Sequence, residues 1–152
     1  MPTITPSALQ SHAGYWLRFV SNNVSHAFRL KVEAHGVTVA EWVILRALFE
    51  SDGINQSQLA ESVGLTRGAI SKLVARLEAK RLVTCRSVAG DGRSVEVGLT
   101  SSGRTLVPIL ARLADENDAE FFGHLRAKDR SALIALLKDI VERKNLRGAP
   151  VD

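Results

Sequence analysis

"GLTRGAISKLVARLEAK", residues 64–80, reads as a helix entered through a tight turn. Thr66 is a good N-cap for a helix over residues 67–80. At 100° per residue, Ile70, Leu73, Val74 and Leu77 share one stripe, which predicts the buried face. Gly68, Ser71, Lys72, Ala75 and Ala79 fall on the opposite side. A solvated helix favours Glu, Lys and Gln there, and a glycine inside a helix costs about 1 kcal/mol relative to alanine. A smooth face of small residues with one hydroxyl and one long cation suits close approach to another surface. The major groove of DNA, about 12 Å wide, admits one α-helix.

The neighbouring sequence supplies a setting for that helix. Upstream, "TVAE" at 38–41 is a capping box that opens a largely apolar second helix carrying Trp42, Leu45 and Leu48. "NQSQLAESV", from Asn55, is a short third helix with Gln58 in the reciprocal capping position. A short helix, a glycine-containing turn and a second helix make a helix-turn-helix. Downstream, two β-prone runs within residues 82–100 flank "AGDG" and predict a hairpin, the wing. A long helix with Pro108 inside it follows Thr100; the proline predicts a kink or a late start. The outer helices are expected at about Ser11–Ala34 and Lys128–Lys144. The fold class is mainly α with a small β-hairpin wing. The whole chain, 1–152, reads as one domain, with a winged lobe at 38–104 and a helical lobe from 8–36 and 105–146.

Charge follows the same division. The chain carries +4 overall and a pI near 9.6. Residues 66–104 hold eight Lys or Arg against three acidic residues, a net of +5. The positive charge is therefore gathered around one helix and its hairpin, as phosphate binding requires. With the recognition helix entering N-terminus first, Thr66, Arg67, Gly68, Ser71 and Lys72 lie nearest the bases and phosphates. Arg76 and Arg86 belong to the same basic surface. Arg93 at the wing can reach the narrower minor groove, and Asp91 is expected to ion-pair with it and aim it. Arg86 and Arg104 read equally as phosphate contacts or as solvated charges.

Other classes find little support. One cysteine, Cys85, precludes an intrachain disulfide. It reads as a small core residue or, alternatively, as a redox switch. The four histidines show no close metal spacing, and no nucleophile, glycine-rich phosphate loop or metal cluster indicates an enzyme or a cofactor. No apolar run approaches a membrane span and no signal peptide is evident, so a cytoplasmic protein is expected.

The chain resembles the MarR family of winged helix-turn-helix regulators. The resemblance is carried by "WVILRALFESDGINQSQLAESVGLTRGAISKLVARLEAKRLV", by Arg86, by "DGR" at 91–93 and by "LTSSGR" at 99–104. It implies a homodimer interlocked through its first and last helices. It implies double-stranded DNA as partner through a pseudo-palindromic operator, usually as a repressor released by a small aromatic or phenolic effector, or by oxidation. By match of position, Ser57 and residues 66–72 are implied as groove and phosphate contacts, and Asp91 and Arg93 as the wing tip. One departure is Arg81, where the family usually has glycine; Arg81 must take a left-handed conformation or end the helix differently. Trp16, Phe19 and Trp42 are expected where the first two helices meet the DNA-binding lobe. They read as packing or as the walls of an effector pocket in which His12, Arg18 and Arg46 meet an acidic group. The alternative to a regulator is a winged-helix adaptor that binds protein.

Overall fold

The computed structural model describes residues 2–88 and 91–147, without the side chains of Val88 and residues 91–94. A single 3-10 turn at Leu9–Ser11 leads into α1 (Ala13–Glu33), α2 (Val39–Phe49), β1 (Ile54–Asn55), α3 (Gln56–Val63) and α4 (Arg67–Ala79). Then follow β2 (Val83–Val88), β3 (Asp91–Leu99), α5 (Ser101–Phe122) and α6 (Ala127–Arg143). The mainly helical class with a small antiparallel sheet is as the sequence predicts. The hairpin, however, is two-thirds of a three-stranded sheet ordered β1-β3-β2. Ile54 pairs with Val97 and Asn55 with Glu96 on one edge of β3, while Cys85 and Arg86 face the same two residues from β2.

Helix starts are set by side-chain oxygens. Thr38 accepts from the Glu41 amide and Glu41 reaches back to the Thr38 amide; Asn55 and Gln58 do the same for α3. Thr66 and Thr100 accept from Ala69 and Gly103. These bonds satisfy amides that a helix start leaves without partners. α5 runs unbroken from Ser101, so Pro108 marks no late start.

The core is one cluster. Ile44, Leu45 and Leu48 of α2, Leu59 of α3, and Ile70, Leu73, Val74 and Leu77 of α4 meet Val83, Val97, Val107 and Leu110. Burial of the α4 stripe orients that helix, because its other side has nothing to pack on. Three polar contacts supplement the core. Lys80 Nζ donates to both carboxylate oxygens of Glu41, at 2.9 and 2.8 Å, and to the Gly36 carbonyl at 2.8 Å. Glu41 is only 1% exposed, so this cation ties the end of α4 to the start of α2 and to the α1–α2 connection. Between α1 and α5, the buried Asn117 accepts from Lys31 and donates to the Val24 carbonyl. Arg104 lies over the Phe49 ring and donates to the Ser51 carbonyl, fixing α5 to the α2–β1 loop.

The two ends of the chain behave differently. Trp16, Leu17, Phe19, Val20 and Leu30 of α1 are exposed, as are Leu136, Leu137, Ile140 and Val141 of α6. α6 buries none of its residues.

Candidate nucleic-acid interface

Gly68, Ser71, Lys72, Ala75 and Ala79 are all exposed on α4, and their side chains form one low ridge. A Cβ added to Gly68 would meet nothing within 4 Å. No packing among the described residues demands a glycine there. Thr66, Arg67, Arg76 and Ser57 are exposed around the ridge. The Thr66 oxygen is occupied by the Ala69 amide at 3.1 Å, which leaves its hydroxyl proton to donate outward. Among the described residues, no hydrogen bond or ion pair engages the charged groups of Arg67, Lys72 or Arg76.

Not every cation in this region is equally available. Lys80 is spent on Glu41 and Gly36. Arg104 is held by Phe49 and Ser51, which favours a structural role for it over a phosphate contact. Arg86 keeps an exposed guanidinium but lies 3.4 Å from Glu96, its cross-strand partner. The Asp91–Arg93 ion pair expected at the wing tip lies outside the described residues.

Two features escaped the sequence reading. Gln56, the first residue of α3, accepts a hydrogen bond from Ser71 at 2.9 Å and so joins the ridge. Adjacent position to Ser57 was the signal for it. Gly103 is the second: a Cβ there would collide with the Leu82 backbone oxygen. That contact lets α5 start against the end of α4, where the Thr100 hydroxyl donates to the Arg81 carbonyl.

Arg81 itself has φ of 61°. Its amide donates to the Glu78 carbonyl and the Leu82 amide to the Leu77 carbonyl. This pattern closes a helix through a left-handed residue and is normally a glycine's place. Of the two outcomes open to Arg81, the left-handed one is found.

The MarR family profile matches residues 35–94, the span from the α1–α2 connection into the wing. The transcriptional regulator HosA of Escherichia coli O127:H6 is 28% identical over 134 residues, covering 88% of this chain and 98% of HosA. The transcriptional repressor NicR of Pseudomonas putida is 28% identical over 144 residues, covering 95% and 91%. The Staphylococcus aureus MepR–DNA complex superposes with a TM-score of 0.80 at 25% identity, covering 87% of this chain and 98% of MepR. The chain is similar to the MarR family over residues 35–94.

In this chain the residues expected to form an effector pocket are divided. Trp16 lines an apolar cavity of about 600 Å³ with Leu17, Val20, Val24, Phe122 and Leu133, between α1 and the α5–α6 corner. Phe19 lines a second cavity beside it, with Phe121 and His124. Trp42 instead packs edge-on against Phe28, with ring centroids 6.3 Å apart. Phe28 is twelve positions beyond Trp16 on α1, about 18 Å along a helix rising 1.5 Å per residue. Trp42 therefore meets α1 near the winged lobe, and Trp16 and Phe19 sit at the far end. Arg46 pairs with Glu50 and lies over Phe49. His12 and Arg18 line neither of the two cavities.

Cys85 packs partly buried against the core. Burial, with help from a hydrogen bond to and the negative charge of Glu78, raises its thiol pKa to about 11. A thiol held protonated is a poor redox sensor, which favours the packing role.

Proposed function

We propose that this chain is a sequence-specific transcriptional regulator that binds a pseudo-palindromic operator as a homodimer, acting as a repressor. The observation that carries the reading is the α4 ridge. It is exposed, made of small residues, and bordered by Arg67, Lys72 and Arg76, which no described side chain engages. Residues 38–104 form the DNA-binding lobe in this reading. Residues 8–36 and 105–146 form the dimerisation lobe, where the uncovered apolar faces of α1 and α6 meet those of a second copy. Ser57, Thr66, Arg67, Gly68, Ser71, Lys72 and Arg76 serve the major groove and its phosphates. Arg86, Asp91 and Arg93 serve the wing. A repressor of chromosomal genes works in the cytoplasm, and no helix among the described residues is long and apolar enough to cross a membrane.

The test is binding to random genomic fragments at several salt concentrations, with the bound fragments sequenced. One enriched inverted repeat and a steep fall of affinity with salt support the reading. Retention of a protein partner with no enriched sequence supports an adaptor instead. We extend the proposal to release by a small aromatic or phenolic effector. The chain has two tryptophans, so single Trp16→Phe and Trp42→Phe variants assign any quenching by the effector to one end of α1 or the other.

A further inference from the structure

The Ser71–Gln56 contact sits on the surface proposed to face DNA, and its chemistry restricts what that surface can read. A serine hydroxyl has one proton to donate and lone pairs to accept with. Free in a groove, it serves bases of either kind. Here its proton is directed to the Gln56 carboxamide oxygen at 2.9 Å. Ser71 Oγ then faces outward as an acceptor only. Gln56 in turn keeps both amide protons, which no described residue engages, and its own place is fixed by the start of α3.

We propose that Gln56 is a specificity-determining residue that sets the hydrogen-bond polarity of Ser71, so that the pair selects an amino base. This rests on the operator-binding reading above. In the major groove adenine and cytosine present an amino donor, whereas guanine and thymine present only acceptors and, for thymine, a methyl group. An acceptor-only Ser71 favours the first two. The Gln56 amide donates to an adjacent phosphate oxygen or purine N7, so α3 contributes to recognition alongside α4.

The test selects bound sequences from a randomised duplex library with the wild-type protein and with Ser71→Ala, Gln56→Ala and Gln56→Glu. The operator position facing Ser71 is the one whose preference Ser71→Ala relaxes. Every base pair carries one amino base, so the wild type is then tested on duplexes lacking that amino group at this pair, purine for adenine or 2-pyrimidinone for cytosine, and should lose about 2- to 10-fold in affinity. Gln56→Ala frees the hydroxyl and should relax that position by about 2- to 10-fold, the range of one net hydrogen bond, while other positions keep their preferences. Gln56→Glu still accepts the Ser71 proton. It should keep the amino base while overall affinity falls, because a carboxylate replaces the donor near phosphate. A wild-type affinity unchanged by removal of that amino group overturns the inference. So does an unchanged preference in Gln56→Ala, or a Glu variant as relaxed as the Ala variant. A wild type that enriches no sequence at all removes the operator-binding reading and this inference with it.

Discussion

Replacing Arg81 by glycine should make this protein more stable, although it deletes a large side chain. Arg81 is exposed and held at φ 61°. A left-handed conformation costs an L-residue about 1–2 kcal/mol through the clash of its Cβ with the carbonyl oxygen. Glycine escapes that clash but has more freedom to lose on folding, a penalty of about 0.5–1 kcal/mol. The difference leaves a net stabilisation of about 0.5–1 kcal/mol. The backbone bonds from the 81 and 82 amides, and the bond from Thr100 to the 81 carbonyl, are all retained. For a chain of this size that is a rise in Tm of about 1–4 °C, readable by thermal denaturation at fixed protein concentration. Arg81→Ala is the control; it keeps a Cβ and should barely move Tm. An unchanged or lower Tm for Arg81→Gly, or an equal rise for Arg81→Ala, would refute the reasoning.

Gly103→Ala should destabilise by about 3 kcal/mol, the upper end of overpacking costs, because its methyl would collide with the Leu82 backbone oxygen; a denaturant midpoint shifted by less than 1 kcal/mol would count against that close approach. Lys80→Ala strips the buried Glu41 of its cation. Losing one partner of a buried pair costs about 3–5 kcal/mol, which the 39% exposure of the Lys80 side chain brings down to about 2, and adding Glu41→Gln should recover part of it; equal losses in the single and double variants would argue against the pairing. With its pKa near 11 rather than 9.0, Cys85 carries about 100-fold less thiolate at pH 8. Partly offset by greater nucleophilicity, this should slow disulfide exchange about 10-fold relative to the unfolded chain. The same shift stabilises the fold fully below pH 9, and that contribution disappears as pH rises from 9 towards 11; urea midpoints flat across this window would contradict it.

What the sequence revealed were features written in local spacing. The Ile70–Leu77 stripe, the Thr38 and Asn55 capping boxes and the left-handed choice facing Arg81 need only a few residues each. What it hid depends on residues brought together from far apart. Lys80 reads as one more cation of a basic region until Glu41, 39 positions away, takes it. Gly103 reads as a weak helix residue until the Leu82 carbonyl lies against it. β1 is two residues long, too short for any alternation to show, and is a strand only because Val97 and Glu96 lie beside it. The aromatic residues carried the right chemistry for walls but no sign of which end of α1 they would occupy.

The bare α6 also makes stability a matter of mass action. A helix with no fully buried residue gains most of its packing energy in the proposed dimer, when a second copy arrives. In the proposed dimer, dilution then acts as a denaturant for α6 while the winged core, closed within one chain and including Val32 of α1, persists. Two correctly spaced recognition helices exist only above a threshold concentration. Such a regulator would leave its operator at low copy number even with no effector present.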